Sequence, residues 1–437
     1  MTVPVNASSD TSSRSAQRSR VSLGIFCAVQ ALLVLGAAAY GMQRYQAIIA
    51  PRVLPIPSNE PLAIGPLYDR PDVISDDQLV TILDQLKPRL RGRQPKINHI
   101  DHALRFWGVE AMFDDPECLS GVEMRELLLD HRAFSEAWGS DVRPFLIPDT
   151  SSDADLISFR TMAGPASASH YDHTIAGLAE VGTPLDYPVI TPIGERPLRA
   201  AVDYSLKMFS LNQGEYEWST LAFLHYLSHE SSWFSTEGQE ITWDRLAERL
   251  MRQRLAQGVC YGNHRLHALV LLLRVDDEVN QILSPDMRSQ IVAHLQDATA
   301  RLVKSQHADG YWDGRWPGEE WDGPQPADVR GPFGPTADRL LATGHALEWW
   351  ALAPPEVQPP RETVARAGQW ICASVGELSE SQLSTYYPFL THAGRALALW
   401  RGKFPHEVEL PQSTTGPEAI ETAAATTPDA PAEETEN

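Results

Sequence analysis

The sequence predicts an all-α protein, an α/α toroid of about six helical hairpins that follows one transmembrane helix. Amphipathic helical patterns alternate along the chain with segments that are apolar on nearly all sides. Ten of the fourteen histidines fall in six short segments typical of the starts of the apolar helices. Near the N-terminus, an uncharged apolar run has the length of a membrane span. Together these observations indicate a ring of buried helices inside amphipathic ones, because closure buries faces that an open array exposes.

The first 42 residues predict a disordered cytoplasmic N-terminus and a membrane anchor. Residues 1–20 are rich in Ser, Thr and Arg and have no apolar periodicity. Residues 21–42 contain no charged side chain and are long enough to cross the hydrocarbon core of a bilayer. Arginines at 14, 18 and 20 favour a cytoplasmic N-terminus and an extracytoplasmic bulk. The alternative is a cleaved signal peptide with secretion, because Ala37-Ala38-Ala39 suits a peptidase.

Two segments of biased composition flank the predicted helical domain at 76–403. Residues 43–75 form a Pro-rich linker, in which prolines recur often enough to prevent a helix. Residues 404–437 carry eight acidic residues and no Lys or Arg after Lys403, which predicts a disordered acidic tail. The net charge of −21 argues against nucleic acid as a partner. Four widely spaced cysteines, one of them in the membrane segment, do not form the pattern of a disulfide framework.

Each amphipathic pattern of the domain pairs with the apolar pattern that follows it. Leu79, Leu83, Leu86 and Leu90 show the helical spacing of the first kind, and Ala268 to Leu273 show the continuous apolar character of the second. No alternation of apolar and polar residues is long enough to predict a sheet. The predicted hairpins are 76–91 with 98–113, 119–138 with 170–182, 198–211 with 217–229, 241–257 with 263–274, 285–304 with 337–352, and 361–378 with 387–401.

The histidine segments predict that six imidazoles gather near one rim of the ring. We favour a structural interpretation, because six equivalent positions indicate a shared feature that caps backbone groups or packs under loops. The alternative is a site that binds a metal or moves protons. If the ring is catalytic, the candidate residues are His264, His345 and Glu320.

Three residues are candidate metal ligands. His225 and His229 are one helical turn apart, a spacing that allows two imidazoles to hold one ion. Cys260, in Cys260-Tyr-Gly-Asn-His264, lies in a segment that resembles the cysteine-containing segment of lanthipeptide cyclases, which are zinc-binding toroids. The companion Cys-His pair of that family is missing here, so a buried thiol is the simpler interpretation.

The longest loop of the domain, 310–334, combines tryptophans with acidic residues. Trp316 and Trp321 are candidate substrate-binding residues, since aromatic platforms beside acids suit carbohydrate stacking. Long loops at a rigid rim often carry function. The alternative is a cap over the core that these tryptophans hold in place.

Leu302, Gln306, Gly310 and Trp312 match the spacing of the QW motif. The segment therefore resembles the terpenoid cyclase and prenyltransferase repeats of the squalene cyclase type. In that superfamily the motif is structural: its Gln caps a neighbouring outer helix and packs on the Trp. The resemblance implies a toroid and covers one full copy, with a degraded second copy at Phe209, Gln213 and Trp218.

The catalytic motifs of those relatives are absent from the sequence. Asp153-Ala-Asp155 lacks the last acid of the proton-donating loop of the cyclases, and Asp276-Asp277-Glu278 is more typical of a solvated turn than of a diphosphate site. We therefore expect a binding or scaffolding module of the cell envelope, anchored in the lipid bilayer through 21–42. The alternative is an enzyme that acts on an isoprenoid or a glycan in the cavity of the ring. No motif requires a cofactor.

Overall fold

The computed structural model describes residues 11–49, 55–92, 94–150, 155–162, 164–323 and 333–411. Helices account for most of this part of the chain, which confirms the predicted predominance of α-structure. The helices are α1 (Thr11–Ile49), α2 (Asp76–Gln85), α3 (Ile97–Trp107), α4 (Gly121–Leu129), α5 (His131–Trp138), α6 (His173–Glu180), α7 (Arg199–Met208), α8 (Glu217–Leu227), α9 (Trp243–Arg252), α10 (Asn263–Glu278), α11 (Pro285–Ser305), α12 (Glu319–Asp322), α13 (Pro335–Leu352), α14 (Arg361–Gly376), α15 (Glu380–Thr385) and α16 (Tyr387–Leu399).

Helix α1 contains the apolar N-terminal segment. Its stretch Gly24–Tyr45 has 22 residues, a mean hydropathy of 1.9 and no contact with the folded region that would bury it. This agrees with the predicted apolar helix and is consistent with either a signal anchor or a signal peptide. The helix begins at Thr11, within the segment predicted to be disordered. Once the apolar segment has formed a helix, each further residue that joins it adds one backbone hydrogen bond, so the helix extends into the polar segment. It also continues to Ile49, past the predicted start of the linker.

Six helices of the folded region contact one another in cyclic order. Helix α3 packs against α6, α6 against α8, α8 against α10, α10 against α13, α13 against α16, and α16 against α3. These are the helices that the sequence predicts to be apolar all round, and in α8 every residue from Glu217 to Leu227 is buried. Helices α4, α9, α11 and α14 contact this set from outside. The apolar helices are buried on all sides because each of them has neighbouring helices around it.

Caps at the starts of the amphipathic helices agree with the sequence. Ser75 and Ser120 form capping boxes with the third residue of α2 and α4, respectively. Ser284 accepts from the backbone N–H of Met287, and Pro285 occupies the first turn of α11. These local signals explain why the predicted starts of α2 and α11 match the observed ones.

The folded region also contains three short antiparallel hairpins, which the sequence analysis did not predict. They are β1 (Leu146–Asp149) with β2 (Leu156–Phe159), β3 (Pro188–Thr191) with β4 (Gly194–Pro197), and β5 (Ser232–Phe234) with β6 (Glu240–Thr242). Strands of three or four residues are too short to establish a period of two in the sequence. All three hairpins lie in the connections between helices.

The Pro-rich segment packs against the folded region along residues 56–70. Its backbone N–H groups at Ser58, Leu62 and Arg70 donate to carbonyl oxygens of Tyr226, His225 and Trp400, with N···O distances of 2.8, 2.8 and 2.7 Å. These carbonyls lie at the C-terminal ends of α8 and α16, where a helix leaves its last carbonyls without partners. The predicted Pro-rich linker is thus an extended segment that covers the C-terminal ends of α8 and α16.

The C-terminal end of the folded region lies beyond the predicted boundary at 403. The Lys87 ammonium donates to the carbonyl oxygen of Pro411 at 3.4 Å, and the His406 ring lies 3.1 Å from the carbonyl oxygen of Trp107. Packing therefore continues to residue 411. The rest of the predicted acidic tail, 412–437, lies outside the described residues.

The QW-like segment joins three helices. The Gln306 side chain donates to the carbonyl oxygens of Gly310 and Thr363 at 2.8 and 2.9 Å, which connects the end of α11 to the first turn of α14. The Trp312 indole N–H donates to the carbonyl oxygen of Leu302 at 2.7 Å, and the backbone N–H of Trp312 donates to the hydroxyl oxygen of Thr343 in α13 at 2.9 Å. The segment therefore ties two outer helices and one inner helix together.

Gly310 provides a test of this junction. Its φ is +106°, and a Cβ atom there would lie 2.5 Å from the carbonyl oxygen of Arg366, whereas Gly318, at φ +74°, has nothing within 4 Å of such an atom. We expect Gly318→Ala to cost about 1–2 kcal/mol of unfolding free energy through backbone strain alone. Gly310→Ala should cost about 1–3 kcal/mol more, because the new methyl group overlaps α14. Guanidinium unfolding of the full chain in neutral detergent measures both, and equal losses would contradict the proposed close approach.

Candidate functional site

Four buried charged side chains meet at the centre of the cyclic helix set. Arg105 of α3 pairs with Glu180 of α6, and its guanidinium also lies 2.9 Å from Glu348 of α13. Arg395 of α16 lies 2.7 Å from Glu348 and 3.7 Å from Glu180. All four side chains are at most 7% exposed. Burial by itself would raise the pKa of both carboxyl groups, but the arginines hold it well below its usual range.

Glu348 also holds two histidines. Its second carboxylate oxygen lies 2.9 Å from Nδ1 of His392 and 3.4 Å from Nδ1 of His345. The His264 ring lies 4.4 Å from that of His345, between ring centroids. Burial lowers the pKa of all three imidazoles, so that the rings are neutral at neutral pH. Nε2 of His345 is buried and has no hydrogen-bond partner among the described residues.

Cys260 completes this group from the turn before α10. Its sulfur and one nitrogen each of His264 and His345 all lie within 4.8 Å of one another. Cys260 and Tyr261 have φ values of 50° and 59°, in the left-handed region that side chains disfavour. The Asn263 side chain holds the turn by donating to the carbonyl oxygen of Cys260 at 3.0 Å. Backbone strain of this kind is concentrated at functional sites.

A cavity of about 540 Å³ leads to this group from the N-terminal ends of the inner helices. The thiol of Cys260 and the rings of His102 and His392 line it, together with His170. Burial raises the pKa of the Cys260 thiol, so the sulfur is protonated unless a cation binds it. The remaining lining residues are Lys96, Asn98, Met162, Gly164, Pro165, Ser167, Ala168, Ser169, Phe333, Leu341, Pro388 and Phe389.

Two carboxylate-histidine pairs lie beside the cavity. His170, on the cavity wall, has its Nδ1 atom 2.9 Å from Glu215, an arrangement that orients an imidazole for proton transfer. Deeper in the core, His173 lies 3.1 Å from Asp101 and its Nε2 atom has no partner among the described residues. Burial raises the pKa of Asp101 to about 7. The His102 ring lies next to His173, with ring centroids 4.7 Å apart.

A smaller cavity lies at the opposite, C-terminal ends of these helices. It has a volume of about 180 Å³ and is bounded by Arg105, Arg395 and Glu180 on one side and by Ala63 and Ile64 of the Pro-rich segment on the other. Three of the four central charges therefore line the smaller cavity, whereas His102, His170 and His392 line the larger one.

The structure brings some of the predicted candidate residues together and separates others. His264 and His345 lie together, but Glu320 is exposed on α12, and Glu348 occupies the position beside the imidazoles. Trp316 is 3% exposed and packs in the core, which fits the cap interpretation better than a binding platform. The side chain of Trp321 lies outside the described residues.

His225 and His229 lie at the end of α8 and not at a helix start. Nδ1 of His225 lies 2.5 Å from the carbonyl oxygen of Leu62, and Nε2 of His229 lies 2.9 Å from that of Ile56. The Pro-rich segment thus occupies one nitrogen of each ring, and Ser58 contacts the other nitrogen of His229. This geometry favours a structural role for the pair.

The acidic clusters named from the sequence are engaged in local contacts. Asp276 accepts from the backbone N–H groups of Ile282 and Leu283 at 2.9 and 2.8 Å. Asp277 pairs with Arg288 at 2.8 Å. Both contacts are those of a turn at the end of a helix. Asp155 pairs with Arg196 on the surface, and Asp153 lies outside the described residues.

The degraded second QW copy does not form a junction of the same kind. Its Trp218 packs against the ring of His264 instead.

The central charges were missed by the sequence analysis. Arg105, Glu180, Glu348 and Arg395 each interrupt a helix that is otherwise apolar all round, and this interruption was the available signal. His392 was named only as one of the histidine segments. A charged side chain in an all-apolar helix requires a partner on a neighbouring helix, which the sequence alone does not identify.

Comparison with known proteins identifies no relative: no family model, no curated protein and no solved structure matches the chain. The interpretation of the site therefore depends on its own geometry.

The buried histidines predict acid-sensitive stability. Burial holds the pKa of His102 well below its usual value, so only the unfolded chain takes up this proton. Stability from such a group is present above the unfolded pKa of about 6.5 and is lost as the pH falls below it. We expect the free energy of unfolding to fall below about pH 6.5. His102→Asn should flatten this fall by up to about 1.4 kcal/mol per pH unit.

Urea unfolding of the metal-free full chain between pH 5 and 8 measures this difference. The raised pKa of Asp101 acts in the opposite direction, since its stabilising contribution is lost as the pH rises through about 7, but it is common to both proteins. His307 is exposed, so His307→Gln serves as the control. If the free energy of unfolding depends on pH identically in His102→Asn and in the unmodified chain, the His102 ring is not buried and neutral.

The central charges predict a large effect of removing one of them. Glu348→Gln leaves two guanidinium groups with one carboxylate, so we expect a loss of about 3–5 kcal/mol of unfolding free energy at pH 7. Glu377 is exposed, and Glu377→Gln should change stability by less than about 0.5 kcal/mol. The same denaturant titration measures both. A loss below about 1 kcal/mol for Glu348→Gln would show that the network is open to water.

Proposed function

We propose that this chain is a membrane-anchored α/α toroid that binds a zinc ion in its central cavity and acts there as an enzyme. Cyclic packing of six buried helices supports the toroid, and the apolar helix α1 supports an anchor with the bulk of the chain outside the cytoplasm. The observation that carries the proposal is the convergence of Cys260, His264 and His345, of which Cys260 lines the 540 Å³ cavity.

The donor set fits zinc. One sulfur and two imidazole nitrogens are borderline-soft ligands of the kind that zinc prefers, and three protein ligands leave a fourth position for a ligand from the cavity. The donor atoms, within 4.8 Å of one another, need to move closer by about 1 Å to reach tetrahedral contacts. Burial already keeps both imidazoles neutral, which is the form that binds a metal.

Glu348 contacts the proposed ligand His345 on the side of the ring away from the metal position. Its carboxylate faces Nδ1 of His345, which leaves the unpartnered Nε2 free to bind. A carboxylate behind a ligating histidine fixes the ring and increases its basicity. Arg105 and Arg395 in turn keep Glu348 ionised and in place. Glu348 and, behind it, the two arginines thus orient the ring of His345, one of the three proposed ligands.

The cavity suits a ligand with a polar end and an apolar body. Zinc supplies Lewis acidity at the inner end, where a ligand oxygen would bind. His170, held by Glu215, lies on the wall in a position to give or take a proton. Leu341, Phe389 and Met162 make much of the remaining surface apolar, which favours an isoprenoid over a glycan. A scaffold without chemistry in its interior would need neither the cavity nor the strained cysteine turn.

Metal analysis of the full chain, purified in neutral detergent, tests the proposal. We expect roughly one zinc ion per chain, and the loss of most of it in Cys260→Ser and in His345→Asn. Cys372→Ser, at a partly buried cysteine elsewhere, and His229→Gln should retain it. Zinc that is absent from the unmodified chain, or that persists in both site variants, would overturn the proposal. Loss of zinc only in His229→Gln would assign the ion to the end of α8 instead.

A further inference from the structure

A second, smaller cavity lies outside the central site, between the β1–β2 hairpin and helices α6 and α7. Its volume is about 280 Å³. It is separate from the histidine cavity, with which it shares no lining residue. The residues that line it are Arg143, Ile147, Ile157, Ser158, Phe159, Arg160, Thr161, Tyr171, Asp172, Ile175, Ala201 and Tyr204.

Arg160 is the unusual residue of this cavity. It is 7% exposed, and its guanidinium donates from one terminal nitrogen to the carbonyl oxygen of Ala166. Its Nε atom is buried without a hydrogen-bond partner, and no carboxylate within the described ranges forms an ion pair with it. A buried cation without a counter-ion is costly, because its desolvation is not compensated.

Other arginines with an unpartnered Nε atom have aromatic partners. The guanidinium of Arg125 lies over the Tyr187 ring at 4.1 Å, and that of Arg249 lies over the Tyr216 ring at 5.8 Å. Stacking on a ring face compensates part of the desolvation of a guanidinium. No such ring contact occurs for Arg160 within the part of the chain that the structure describes.

The charge of this cavity is positive. Arg143 is exposed at the edge of the same cavity and has no ion pair among the described residues, and burial together with Arg143 lowers the pKa of Arg160. Asp172, the acidic residue among the lining residues, accepts a hydrogen bond from the Ser205 hydroxyl at 2.7 Å and another from Ser219. Burial raises the pKa of Asp172.

We infer that this cavity binds a small organic anion, whose oxyanion group lies between Arg160 and Arg143. Two guanidinium groups offer the fork geometry that phosphate and carboxylate oxygens accept. An anionic ligand would supply the counter-charge that Arg160 and Arg143 lack among the described residues. This inference is independent of the zinc proposal.

The rest of the cavity indicates the body of the ligand. Phe159, Tyr171 and Tyr204 provide aromatic surface beside the arginines, and Ser158 and Thr161 provide hydroxyl groups. A volume of 280 Å³ is near the lower limit of ligand pockets, so the ligand is a single-ring or short-chain molecule and not a two-chain lipid. An aromatic phosphate monoester has both required features.

Isothermal titration of the full chain in neutral detergent with phenyl phosphate tests this inference. We expect binding that weakens as salt is added, weaker binding of inorganic phosphate, and no binding of benzyl alcohol, which has the ring without the charge. Arg143→Gln should reduce the affinity at least tenfold, and Arg160→Gln should abolish binding. Arg143 is exposed, so its variant should fold even if loss of the Arg160 contact with Ala166 prevents folding.

Arg196→Gln is the matched control, because Arg196 pairs with Asp155 nearby but does not line the cavity. It should bind phenyl phosphate as the unmodified chain does. The inference fails if phenyl phosphate does not bind at millimolar concentration, if benzyl alcohol binds equally well, or if Arg143→Gln and Arg196→Gln bind alike. Zinc content stays the same in all these variants, so that failure here leaves the zinc proposal unaffected.

Discussion

Charge compensation among Arg105, Arg395, Glu180 and Glu348 is the constraint on which the centre of this structure depends. Each of these side chains comes from a helix that is buried on every side, and an unpaired charge there costs several kcal/mol. Each carboxylate contacts both guanidinium groups, so the pairs form only in one register of four helices. The network thus selects how α3, α6, α13 and α16 pack, which apolar contacts alone specify less sharply.

The same network determines the chemistry of the neighbouring histidines. An ionised Glu348 attracts an N–H of each adjacent ring, and this fixes which nitrogen of His345 points away from it. Without Arg105 and Arg395, burial would protonate the carboxyl group and the rings would lose that orientation. The fold and the proposed site therefore share one set of contacts. A change that loosens the packing of the inner helices also disturbs the donor set.

The positions of the helices could be predicted from the sequence, but the residues that form the site could not. Capping residues and apolar periodicity predicted the positions of most helices closely, because both signals are local. The pairing of each amphipathic helix with the apolar helix that follows was not local, and the contacts instead join α4 to α3, α11 to α10 and α14 to α13. The His225 pair was named as a candidate metal site from its spacing alone, while the partners that define its role lie in the Pro-rich segment. Glu348 and Arg105 are far apart in the chain. Only packing shows that they meet, and so the carboxylate beside the imidazoles was assigned to Glu320.

The two ends of the cyclic helix set differ, and this difference affects access to the cavity. At the C-terminal ends of α8 and α16, carbonyl groups are satisfied by the Pro-rich segment, which continues towards α1. At the opposite ends lie the 540 Å³ cavity and the strained turn at Cys260. A cover held by backbone hydrogen bonds to several helices resists opening more than a cavity mouth that already admits solvent. A ligand of the proposed site would therefore reach the histidines through the 540 Å³ cavity, opposite the end that the Pro-rich segment covers.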